Sequence, residues 1–166
     1  MTAASLADEL FRYLEESAGD IDAVHIHAAK SLAVQDIVGT LLTDNLNFRS
    51  EVVLTPQDGF VTQARPDFFF DLGGGRGVLA EVERGGTVNN NHDLKDLWKA
   101  HIAADAQHLF LIVPNANWLP SGAPRERPYK RVVHRFASFF GDARREVDVL
   151  SAHVFGYGRS ARPGLT

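Results

Sequence analysis

The sequence predicts a mixed α/β fold, a small mixed β-sheet flanked by helices. Two observations carry this. Apolar residues recur at helical spacing in four segments and gather in five short strand-like runs rich in Phe, Val and Leu. The two kinds interleave in the order ααβββαβαβ, and strand–helix–strand alternation is the pattern of crossover units. With 166 residues, 45% hydrophobic and 23% charged, the chain suits one domain with its own core rather than a disordered polymer. We expect that domain over residues 1–155 and a loosely ordered tail over 156–166.

Each element has its own grounds. Leu6, Leu10, Tyr13 and Leu14 share one face of a helix over 5–16, with Ser5 and Asp8 as a capping pair. The stretch 21–28 alternates and reads as a strand or loop edge. Val34, Ile37, Val38, Leu41 and Leu42 form the stripe of a second helix over 29–45. The period then changes to that of a strand over 48–54, closed by Thr55-Pro56-Gln57-Asp58-Gly59. Residues 65–72 and 78–83 read as a hairpin around the turn Gly73-Gly74-Gly75-Arg76-Gly77. Asn90 or Asn91 caps a helix to about 104, with Leu94, Leu97, Trp98 and Ile102 as its buried face. A strand over 108–113 follows, then a polar loop over 114–128, a helix over 129–140 and a last strand over 147–155.

Composition excludes several chemistries. With no Cys there are no disulfides, thiolate metal sites or thiol nucleophiles. No apolar run approaches the ~20 residues that span a bilayer, and the opening residues, soon acidic at Asp8 and Glu9, do not resemble a secretory leader. A cytoplasmic protein without membrane partners is the expectation. The net charge of −4 is unevenly spread: residues 1–120 hold 8 basic and 17 acidic side chains, residues 121–166 hold 9 and 4. The basic part, with Arg125, Arg127, Lys130, Arg131 and Arg135 around Tyr129 and His134, is compatible with phosphate contacts.

Asp67, Glu81 and Glu83 are the most informative residues. Strand side chains alternate, so Glu81 and Glu83 point one way while Val78, Ala80 and Val82 point the other. On the partner strand Asp67, Phe69 and Asp71 share a face, and the hairpin brings Asp67 toward the Glu81–Glu83 end. Carboxylates inside an apolar strand are costly unless a cation compensates them. Three converging there suit a hard divalent cation such as Mg²⁺.

Pro66-Asp67, followed fourteen residues later by Glu81-Val82-Glu83, resembles the active-site signature of the PD-(D/E)xK nuclease superfamily. The order of elements over about 29–113 is similar to that of its restriction endonuclease-like core. The resemblance implies an Mg²⁺- or Mn²⁺-dependent endonuclease acting on DNA, in which Asp67, Glu81 and the Val82 carbonyl hold the metal. Glu83 then serves as general base or as a ligand of a second ion, and a homodimer would address two strands. Glu83 stands where that family usually has Lys. The missing cation is expected from the next helix, where Lys99 is favoured over Lys95, and Glu51 is a further acidic candidate. Loss of the Lys keeps open a nuclease fold without catalysis, serving as a binding or assembly module.

Other motifs weigh less. The glycine run precedes a strand, not the helix a phosphate loop needs. His25-x-His27 lacks a third ligand at metal spacing, and no Gly-x-Ser-x-Gly element occurs.

Overall fold

The structure, a computed structural model, describes residues 1–28, 31–54, 64–142 and 146–161. Helix α1 spans Ala3–Glu16 and starts two residues earlier than expected, because Thr2 and Ser5 form a reciprocal capping box: Ser5 N–H donates to Thr2 Oγ1 (3.1 Å) and Thr2 N–H to Ser5 Oγ (3.0 Å). Ser5 is therefore the box's inner member and not the cap of Asp8. The stretch read as a strand or loop edge begins inside a second helix, α2 (Ala18–Val24), which buries Ile21 alone. Helix α3 (Ser31–Thr40) continues through a π turn, Leu41–Asn45, where Thr43 Oγ1 donates back to the Gly39 carbonyl at 2.9 Å.

Strand β1 is only Arg49–Ser50, shorter than the 48–54 expected. Glu51 adopts a left-handed backbone (φ 49°), which takes the chain out of the ladder. The turn expected at 55–59 and the start of the helix expected at 29 lie outside the described residues. Strands β2 (Phe68–Asp71) and β3 (Gly77–Val82) form the expected antiparallel hairpin, with Phe68 opposite Ala80 and Asp71 opposite Gly77. Gly73, Gly74 and Gly75 all have positive φ, which glycine adopts without steric cost.

Helix α4 (His92–Ile102) crosses to β4 (His108–Pro114), parallel to β3. Helix α5 (Pro128–Phe140) then leads to β7 (Ser151–Tyr157), parallel to β4. The result is one five-stranded mixed sheet in the order β1-β2-β3-β4-β7. The loop between β4 and α5 holds a small hairpin, β5 (Asn117–Trp118) with β6 (Pro124–Glu126).

The period-two alternation of the strands builds two cores. Val78, Ala80, Phe110, Ile112 and Phe155 face α1, α2 and α3, whereas Leu79, Leu109, Leu111 and Val113 face α4 and α5. The last strand runs two residues past its expected end, and Tyr157 is buried. Residues expected in a loose tail are thus tied down: Asn115 N–H donates to the Tyr157 carbonyl (2.8 Å), and Arg159 pairs with Asp22 at 2.7 Å. Residues 162–166 lie outside the description. Among the described residues no helix is long and apolar enough to cross a membrane.

Helix α4 turns differently from its hydrophobic pattern. Its buried residues are Asp93, Asp96, Leu97 and Ala100, while Trp98 is 47% exposed. Two carboxyls face the protein where Leu94, Trp98 and Ile102 were expected to do so. Their partners explain why.

Candidate active site

Glu81 follows Leu79 on the α4 side of β3, at the end of the hairpin, and is only 3% exposed. Asp67 precedes β2 directly and lies across from it. Its N–H donates to Glu81 Oε2 (3.3 Å), and its own Oδ2 accepts the Val82 N–H (3.0 Å). Because a strand residue's N–H and C=O leave on the same edge, the Val82 carbonyl also faces the Asp67 side. Glu83 points toward the start of α4, where His92 Nδ1 lies 2.9 Å from its Oε2, and its carbonyl accepts the Tyr157 hydroxyl (2.9 Å).

Lys99 reaches in from the third turn of α4. Its ammonium lies 2.6 Å from Glu81 Oε1 and 3.0 Å from Asp96 Oδ1. Asp96 is 2% exposed, and its other oxygen is buried without a hydrogen-bond partner among the described residues. Lys95, one turn before Lys99, is exposed, as is Glu51, whose N–H merely donates to the Asp67 carbonyl at 2.9 Å.

Burial dominates the electrostatics. It pushes the Glu81 carboxyl up to about 8, helped by repulsion from Asp96 and Asp67 and opposed by Lys99. Burial likewise raises Asp96 to about 7, with Lys99 opposing and with Glu83 and Asp67 adding repulsion. Lys99 is itself desolvated, yet the two carboxylates outweigh that and hold its ammonium protonated above the usual range. Among the described residues, the Asp67, Glu81, Glu83 and Asp96 carboxyls thus share one field with a single ammonium, that of Lys99. Without further positive charge the buried pair retains a proton near neutral pH.

This donor set suits a hard divalent cation. All the donors are oxygens, the charge is in deficit by more than one cation, and Asp96 offers a buried oxygen with no other use. Among the described residues no three His, Asp or Glu side chains already surround one point. Mg²⁺ needs only one or two carboxylates, its remaining ligands being water.

The structure therefore gathers Asp67, Glu81, Val82, Glu83 and Lys99, all read from the sequence, and adds two that were missed. These are Asp96 and His92, neither of which the sequence reading singled out as a site residue. The signal for Asp96 was the series 93, 96, 97, 100, which is helix-face spacing interrupted by two acids. The second acid, Asp93, is fully buried against Arg135, whose Nη1 lies 2.9 and 3.2 Å from its two oxygens. Arg135 also reaches the Asn91 side chain (3.2 Å), so Asn91 stands at the N-cap without capping.

The basic residues of the C-terminal third do not join the carboxylates. Arg127 donates to the Ser160 carbonyl (2.7 Å), and Lys130 and Arg131 are exposed on α5. Arg125 contacts Glu126 (3.2 Å) and lines a separate groove. His25 and His27 are turned to backbone, with ring nitrogens 2.8 Å from the Ala116 carbonyl and 3.0 Å from that of Trp118. Comparison of the chain with protein-family models, with curated proteins and with solved structures finds no match.

Proposed function

We propose that the protein is a divalent-metal-dependent nuclease that hydrolyses phosphodiester bonds in DNA. One observation carries the reading: Asp67, Glu81 and Lys99, 14 and 18 residues apart in sequence, meet in one buried, charge-deficient cluster. In this reading Asp67 and Glu81 hold Mg²⁺ or Mn²⁺ with the Val82 carbonyl, and Asp96 adds its unused oxygen. A bound ion of this kind stabilises charge on the scissile phosphoryl group and lowers the pKa of an attacking water.

The chain's own groups do the rest. Lys99, fixed between Glu81 and Asp96, sets a permanent positive charge beside the phosphoryl oxygens. Glu83, oriented by His92, receives the proton of the attacking water. The water oxygen forms the new P–O bond as the bond to the leaving sugar oxygen breaks, and that oxygen takes its proton from solvent. The missing Lys of the strand signature is supplied here from the helix. The restriction endonuclease-like core, a homodimer and a cytoplasmic location belong to the same reading.

A second reading is favoured by one contact. At 2.6 Å, Lys99 already neutralises Glu81, as it would in a nuclease fold kept only as a binding or assembly module. Incubation of supercoiled plasmid and of single-stranded DNA with Mg²⁺ or Mn²⁺ separates the two. We expect metal-dependent cleavage by the wild type and none by folded Asp67→Ala. A folded wild type that cuts neither substrate, and that neither metal stabilises, would favour the module.

A further inference from the structure

Immediately after the carboxylate strand the chain enters a different environment. Arg84 and Gly85 line an open groove of about 420 Å³, shared with His25, His27, Asn117, Trp118 and Arg125. Its walls come from three places in the chain that hydrogen bonds lock together. Arg84 Nη2 donates to the Ile26 carbonyl (3.0 Å), the Asn117 amide donates to the Arg84 carbonyl (3.0 Å), and His27 bonds the Trp118 carbonyl (3.0 Å). The rim at Ala28 has a left-handed backbone (φ 58°), which is unfavourable for a non-glycine residue and persists only when the surroundings enforce it.

The charge of the groove is unbalanced. Glu126, the acid beside it, is engaged by Asn117 (2.8 Å), Asn89 (3.1 Å) and Arg125 (3.2 Å). Arg84 is half-buried and has no carboxylate partner among the described residues. A guanidinium carries five N–H donors in a fork that matches a phosphate, and one contact to a backbone carbonyl leaves most of them unused. Arg84 is also the residue next to Glu83, so its Cα lies about 3.8 Å from that of the proposed base.

We propose that this groove binds a phosphoryl group, held by Arg84 and Arg125. Resting on the nuclease reading, we take that group to be a backbone phosphate of the strand that passes the carboxylate cluster. The sites are complementary: the carboxylates require a cation beside the scissile bond, whereas Arg84 and Arg125 grip the strand without one. Lys130 and Arg131, the more conspicuous basic pair in the sequence, lie outside the groove on α5.

The test is a titration in EDTA, followed by NMR of the Arg84 Nε–H and the His27 ring, with a twelve-nucleotide single-stranded DNA in one arm and inorganic phosphate in the other. We expect the oligonucleotide to move both signals. Arg84→Gln and Arg125→Gln, each verified as folded by thermal melting, should weaken binding about tenfold and reduce the salt slope by about one. Unchanged affinity in both variants, or shifts confined to Lys130 and Arg131, would overturn the proposal. Shifts with inorganic phosphate alone would support a phosphoryl site but overturn its assignment to a strand. Because no metal is present, oligonucleotide binding here combined with no cleavage under any metal would sink the nuclease reading and leave the groove standing.

Discussion

Replacing Lys99 with Met removes the ammonium that lies between Glu81 and Asp96 while keeping an unbranched side chain only one atom shorter. Both carboxyls are almost fully buried, with Lys99 at 2.6 and 3.0 Å. Breaking a buried pair from one side costs about 3–5 kcal/mol, because the stranded charge stays desolvated. Two features reduce that. The Lys99 side chain is 27% exposed, and the carboxyls, already raised, can take up protons. Near pH 6 both carboxyls are largely protonated in either protein, whereas toward pH 8 Lys99 lets the wild type release about one proton that the variant keeps. The loss therefore grows with pH by about 1 kcal/mol per unit on average, less than the ~1.4 of one full proton. We expect a loss of about 3 kcal/mol at pH 8 shrinking to about 1 near pH 6, read from urea unfolding of both proteins across that range. The double variant Lys99→Met/Glu81→Gln should recover most of the loss at pH 8. A loss under about 0.5 kcal/mol, or one that is the same at both pH values, would refute the argument that Lys99 compensates buried negative charge.

Three further outcomes follow from the same structure. Because Glu81 and Asp96 titrate above their ordinary values, the folded protein holds a proton that the unfolded chain releases; this stabilisation is present at low pH and is lost as pH rises toward about 8. The metal-free melting temperature should therefore fall between pH 5 and 8, and saturating Mn²⁺ should flatten the decline. Arg135→Ala leaves Asp93 fully buried without its partner and should cost about 3 kcal/mol in urea unfolding, whereas Arg131→Ala on the exposed side of α5 should cost under about 0.5. Gly77→Ala drives a Cβ into the Phe69 ring and to 2.5 Å from the Asp105 carbonyl, so a loss of at least about 2 kcal/mol by the same measurement is expected.

What the sequence disclosed, and what it hid, divides by range of interaction. The β2–β3 hairpin was legible from its glycine turn, and the two-faced pattern of Phe68 to Leu72 against Val78 to Val82 from strand period; the structure reproduces both. Asp67 and Glu81 were legible for the same reason, since a hairpin turns sequence spacing into proximity. The orientation of α4 was not. Leu94, Trp98 and Ile102 suggest an apolar face, but Asp93 is drawn inward by Arg135, 42 residues later, and Asp96 shares Lys99 with Glu81. The spacing 93, 96, 97, 100 marks a second possible face, but neither segment by itself names the partner across the fold that turns that face inward. The same holds for Arg84, whose setting depends on Ile26 and Asn117. At β1 the obstacle was local: a left-handed Glu51 ends a run that propensity alone would continue.

Uptake of a divalent cation by the Asp67–Glu81–Asp96 cluster, on which the proposed chemistry depends, is tested by a Mn²⁺ titration. Free Mn²⁺ followed by electron paramagnetic resonance at pH 8 should reveal at least one site in the wild type. Affinity should fall at least tenfold in Asp67→Asn and in Asp96→Asn, and should weaken in the wild type as pH drops to 6 and protons compete. No binding by folded wild-type protein at millimolar Mn²⁺, or binding that both substitutions leave intact, would contradict the account.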